Sequence, residues 1–171
     1  MPSTAAEVER GVSALLYRQN LIDALKGLQL AEVEQLAERI RKHTAVYVVG
    51  NGGSAANAAH LVLHLREKGY TTADLMADVP WLTMEANDRG YEQAVAAYVR
   101  SLPAYEGACL LVISGSGNSE NVLQALEAAR EKQYARYGIL GFGGGAAKDL
   151  CEYAGTLETR DHGIHEDVTS A

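Results

Sequence analysis

Two short stretches rich in glycine and serine hold the residues best suited to chemistry. Ser114-Gly-Ser-Gly-Asn-Ser119 follows an apolar, β-branched run and precedes a helical pattern. Three hydroxyls and a series of glycine N–H groups at a helix start suit an anion, because four backbone donors there lack intrahelical partners and the helix dipole favours negative charge. Ser114, Gly115, Ser116, Asn118 and Ser119 are therefore candidate contacts for a phosphate; the alternative is an ordinary Ser/Gly turn. Asn51-Gly-Gly-Ser54 holds the same station after another strand pattern. Gly52 and Gly53 let the chain turn tightly and bring N–H groups near a ligand, and Ser54 is placed to cap the next helix. A tight turn with a capping serine is the competing reading. His60 and His64 stand four residues apart on one face of that helix, the spacing at which two imidazoles share a metal ion. A packed or solvated helix histidine is the other reading of His64.

The surrounding pattern supplies the frame these residues need. From about Glu7 to His43 apolar residues recur at three- and four-residue spacing, with Gly27 dividing two amphipathic helices. Their apolar face is long for a small domain, so it either caps a sheet or meets a second copy of the chain, and a homo-oligomer is expected. The period then changes. Ala45–Val49, Cys109–Ile113 and Tyr137–Leu140 read as buried strands, each followed by a glycine-bearing loop and a helix, with further strands near Thr71–Met76 and Ala154–Leu157. Alternating strands and helices predict an α/β domain with an open parallel sheet, helices on both faces and ligands at the carboxyl ends of the strands. One domain, 1–171, is expected, with a helical segment over 1–43 and the α/β core over 44–171.

Composition excludes several classes. The chain has 171 residues, 47% of them hydrophobic, and a net charge of −7. That balance argues against a nucleic-acid partner, and an anion has to be captured locally rather than by long-range attraction. Neither GxGxxG nor a Gly-Lys-Ser/Thr loop is present, so no nucleotide cofactor is expected. Cys109 and Cys151, the two cysteines, have no metal or redox spacing and read as buried reduced thiols. Absence of an 18-residue apolar run and of a leader-like N-terminus predicts a cytoplasmic protein without a membrane partner. Asp74 and Asp78 read mainly as solvated acids, and Trp81 as a packed aromatic.

GNGGSAANAAH at 50–60, EAND at 85–88 and ISGSGNSENVLQALEAAR at 113–130 resemble the sugar isomerase (SIS) domain, specifically its phosphoheptose isomerase branch. The resemblance covers about residues 10 to 168. It implies a five-stranded parallel α/β domain, a homotetramer with active sites between subunits, and the aldose–ketose isomerisation of sedoheptulose 7-phosphate. It assigns phosphate contacts to Ser114, Ser116 and Ser119, substrate contacts to Asn51 and Ser54, and a further one to Asp88. One hydroxyl is missing: Gly115 stands where the family usually has threonine.

The catalytic positions depart further. An isomerase moves a proton between adjacent carbons and needs a base and an acid. The family's base is a glutamate four residues beyond a histidine; here the histidine is His60 and the glutamate position is His64. His165 stands at a family glutamine, and the sequence given reaches Ala171 before a second family histidine, eight residues on, could occur. The matched positions in some relatives bind zinc, so His60, His64 and His165 are expected to form a three-histidine zinc site, with His64 and His165 as catalysts. His162 and Glu166 are further candidates at the same mouth, Glu166 equally reading as a helix-start charge. A non-catalytic module that binds a sugar phosphate or a protein partner is the alternative function. An isomerase for a different sugar phosphate is a third.

Overall fold

The computed structural model describes residues 5–103 and 106–170, with side chains from residue 13 onward. Residues 1–4 and 171, the outer bounds of the expected domain and helical segment, lie outside the described residues. Five strands form one sheet in the order β2-β1-β3-β4-β5: β1 (Ala45–Gly50), β2 (Thr71–Asp74), β3 (Ala108–Ser114), β4 (Ala135–Leu140) and β5 (Tyr153–Thr156). Every pairing is parallel. The all-parallel, five-stranded α/β expectation holds.

β1 and β3 are buried along their whole length, which is why they read as continuous apolar runs rather than alternating ones. Their side chains alternate between two cores. Tyr47, Val49, Leu110 and Val112 face helices α5 (Tyr91–Ser101) and α6 (Glu120–Glu131), packing with Val95, Val99 and Leu126. Val46, Val48, Cys109, Leu111 and Ile113 face α2 (Leu30–Ile40) and α3 (Gly53–Glu67), meeting Leu36, Ala58 and Val62. Burial pushes the Cys109 and Cys151 thiols up to about 12, and both are free.

The long helix α1 (Ala5–Gly27) packs through Leu21, Ala24 and Leu28 of the adjoining turn onto Leu157, Ile164 and Val168, the last two on α8 (His162–Ser170). Leu15, Leu16, Ile22, Leu25, Leu30 and Val33 of α1 and α2 stay exposed. No helix among the described residues is long and apolar enough to cross a membrane.

Between β2 and β3 lie two helices outside the expected pattern, α4 (Val79–Arg89) and α5. Asp78 caps α4, accepting the Trp81 backbone N–H at 3.2 Å, and Asp74 accepts the Met76 N–H at 2.9 Å where the chain leaves β2. Both acids thus shape turns. Trp81 packs on Tyr98, ring centroids 5.5 Å apart, as a packed aromatic should. The short α7 (Ala147–Leu150) completes the set.

Candidate active site

β1 and β3 are neighbours, with Gly50 opposite Ile113, yet their chains depart to opposite sides: β1 leads through α3 to β2, and β3 through α6 to β4. Loops that diverge in this way leave a crevice at the carboxyl ends of the strands. A cavity of about 80 Å³ lies there, lined by Asn51 and Ser54 after β1, by Ser114 at the end of β3, and by Gly115, Ser116 and Ser119 after it. His162 and Glu166 of α8 close it from a third side. A larger hollow of about 460 Å³ between α1 and the β5–α8 segment includes no residue of either loop.

The β3 loop is built to present donors. Ser114 Oγ accepts the Gly117 N–H at 3.1 Å and Ser116 Oγ accepts the Asn118 N–H at 3.2 Å. Both hydroxyls act as acceptors inside the loop and keep their own protons for an anion. Gly117 has φ +64°, and a Cβ there would overlap the Gly144 carbonyl, so only glycine closes the turn against the neighbouring loop. Ser119 precedes α6 without a side-chain capping bond, which leaves its hydroxyl for the cavity. Asn118 does something else. Its amide donates to Ser116 O at 3.0 Å and accepts the Ala146 N–H at 2.9 Å, so it braces the cradle on the loop after β4 and is not among the lining residues.

The β1 loop is tied to α6. Asn51 and Asn121 exchange amide hydrogen bonds of 2.8 and 2.9 Å, and the Tyr91 hydroxyl donates to Asn51 Oδ1 at 2.9 Å. The Asn51 side chain is thereby a clasp that lines the cavity. Ser54 is not the helix cap: α3 starts at Gly53, and Gly52 with φ +57° is the capping residue. Ser54 instead sits buried in the first turn with its hydroxyl at the cavity.

The histidines divide differently from the sequence expectation. His165 is 0% exposed and neither ring nitrogen has a hydrogen-bond partner among the described residues. Burial, helped by the charge of His162, lowers its pKa to about 4. The ring lies against Gly141, where an added Cβ would come within 2.7 Å of it, and it does not reach the cavity. The reason is helix phase: Ile164 and Val168 turn α8 toward α1 and carry His165 inward with them. His162 and Glu166, one turn apart, fall on the opposite stripe and face the site. A Cβ on Gly115 would lie 2.6 Å from His162 Nδ1, and one on Gly53 would overlap the Glu166 carboxyl. Phe142, a non-glycine residue at φ +51°, holds its ring edge-on to His162 with centroids 4.7 Å apart.

His60 and His64 are brought together, Nε2 to Nε2 at 3.0 Å, and His64 Nδ1 meets Glu67 Oε2 at 3.1 Å. A carboxylate only accepts, so His64 Nδ1 donates to Glu67, and in the neutral ring Nε2 is the acceptor facing His60. Among the described residues no group of three His, Cys, Asp or Glu side chains converges to hold a metal ion. The three-histidine set does not fit zinc, because His165 is enclosed elsewhere. Asp88 lies exposed on α4, accepting from Asn87 Nδ2 at 3.1 Å, and is not brought to the cavity.

The fold and this site define an open α/β domain with a serine- and glycine-lined cavity at its topological switch point. The chain belongs to the SIS domain family, whose profile matches residues 17–141. It is 36% identical over 149 residues to a phosphoheptose isomerase of Helicobacter pylori, covering 82% of this chain and 77% of that one. A phosphoheptose isomerase of Pelobacter propionicus is 38% identical over 133 residues, covering 74% and 70%. Among solved structures, phosphoheptose isomerase from Neisseria gonorrhoeae superposes with a TM-score of 0.86 at 24% identity, over 95% of this chain and 91% of that one. The enzyme from Francisella tularensis gives 0.81 at 24% identity over 97% and 93%.

Proposed function

We propose that this chain is a sugar-phosphate aldose–ketose isomerase of the phosphoheptose isomerase kind, acting on sedoheptulose 7-phosphate. The observation that carries the reading is the cavity at the β1–β3 switch point, lined by four serines, Ser54, Ser114, Ser116 and Ser119, and by a helix start, in a chain 36% identical to a phosphoheptose isomerase.

The phosphate sits in the Ser114–Ser119 cradle, and the sugar chain runs from it along α3. Gly53, Asn57, His60 and His64 share one stripe of that helix, His60 and His64 lying about 9 and 15 Å beyond Ser54 along its axis. Asn57 holds α8 alongside, donating to Glu166 O at 2.8 Å. His64 is the base. Its Nε2, parting from His60, takes a proton from C1 of the ketose while O2 gains one, which gives the enediol; the C1 proton then returns at C2 as O1 gives up its own, which gives the aldose. His60, facing His64 Nε2, is placed to serve the enediol oxygens. The exposed leucines of α1 and α2 support a homo-oligomer, a tetramer in this reading, and the free thiols of buried Cys109 and half-buried Cys151 suit a cytoplasmic setting.

Incubation with sedoheptulose 7-phosphate in deuterium oxide tests the reading: deuterium entering at C1 or C2 supports it, and its complete absence overturns it. A non-catalytic sugar-phosphate module is favoured by one observation, the histidine at position 64, where the family resemblance places a glutamate as the base. Binding without exchange would select that second reading.

A further inference from the structure

Glu166 is an acidic group where an anion site should have none. Of the residues lining the cavity it alone carries a carboxylate. Its carboxyl has no hydrogen bond or ion pair among the described residues, while its backbone carbonyl is pinned by Asn57. Its place is built in: the first turn of α3 has glycine at position 53, and a Cβ there would overlap the carboxyl group. A carboxylate beside a phosphate repels it, and the repulsion grows as the site loses water. The same carboxylate accepts hydrogen bonds well, and charge-assisted ones are the stronger kind. An ester of phosphate with a polyhydroxylated chain brings donors to Glu166 as it brings its anion to the serines. Free phosphate brings only charge.

We propose that Glu166 is a specificity-determining residue, selecting phosphate esters of polyhydroxylated chains and rejecting inorganic phosphate. The proposal rests on the sugar-phosphate reading above and adds to it the group that tells one phosphate from another. It assigns no proton transfer to Glu166.

Isothermal titration of the full chain with D-glucitol 6-phosphate, a polyol phosphate without a carbonyl group, and with inorganic phosphate tests it. In Glu166→Gln, inorganic phosphate binds several-fold tighter and glucitol 6-phosphate about tenfold weaker, so the preference between them collapses. Glu166→Asp, which keeps the charge on a shorter arm, still rejects inorganic phosphate but loses most of the gain from the hydroxyls. Matching melting temperatures establish that both variants are folded. A ratio of the two affinities unchanged within twofold in Glu166→Gln overturns the proposal and leaves the sugar-phosphate reading standing. If neither compound binds the wild-type protein, or Ser116→Ala leaves both affinities unaltered, the cradle itself is misassigned and both fall.

Discussion

Asn51 and Asn121, 70 positions apart, exchange amide hydrogen bonds of 2.8 and 2.9 Å. The clasp joins the loop after β1 to the helix after β3, so the two sides of the cavity are held at a fixed separation. Asn121 is buried, and the pair satisfies both amides where water has little access. Asn121→Ala is expected to destabilise the fold by about 1–3 kcal/mol, since Asn51 Nδ2 then loses its acceptor and Asn51 Oδ1 keeps only the Tyr91 hydroxyl. Urea denaturation measures the loss, and the same variant should bind sugar phosphate more weakly. A variant with unchanged stability would mean that the clasp does not hold the loops.

Ser119 separates folding from binding. A serine at a helix start usually stabilises through its cap, yet here the hydroxyl makes no capping bond. Ser119→Ala should therefore leave the melting temperature nearly unchanged while weakening sugar-phosphate binding by roughly tenfold, the effect of one charge-assisted hydrogen bond. A drop in melting temperature with intact affinity would return Ser119 to an ordinary capping role.

His165 is expected to affect stability and not turnover. Its pKa is lowered to about 4, first by burial and then by His162, while an unfolded chain titrates this group near 6.5. Below about 6.5 the unfolded state binds the extra proton and the folded state resists it, so stability falls with decreasing pH until about 4, by up to about 1.4 kcal/mol per unit. His165→Leu removes two unpartnered buried nitrogens. It should flatten that slope across pH 4 to 6.5 in thermal melts, with kcat retained. Loss of kcat at unchanged stability would restore a catalytic role.

His64 and Glu67 make the complementary case. Removal of a general base lowers turnover by roughly 10²–10⁴-fold, and His64→Ala should fall in that range. Glu67→Gln should lower kcat by less, because the amide can meet Nδ1 as donor or acceptor and no longer enforces one tautomer. Substrate affinity should stay near wild type in both, as neither residue lines the cradle. Turnover untouched in His64→Ala would place the base elsewhere.

Much of the site was legible in the sequence because it is local. The strands ending at Gly50 and Ser114 are apolar and β-branched, and each runs into glycines and serines that have no place in a sheet interior. Ser114, Ser116 and Ser119 could be grouped from the sequence, and they do line one cavity, since their geometry depends on one turn and one helix start. Asn118 looked the same by composition, but its amide is used against Ala146, a partner 28 positions away that no local pattern announces. α4 and α5 are marked less plainly: α5 does carry an apolar stripe, but Ala94, Val95 and Val99 form it with short side chains that signal a buried face only weakly.

The sequence by itself determined the parallel α/β frame, the two loops at the strand ends and the pairing of His60 with His64, all consequences of short-range periodicity and backbone chemistry. Tertiary structure alone decided which residues of the nine-residue α8 face the site. A helix that short has no dominant stripe, and its phase is set by Ile164 and Val168 packing with Leu157, Leu21 and Leu28. That packing buries His165 and turns His162 and Glu166 onto the cavity, because side chains one turn apart must share a face.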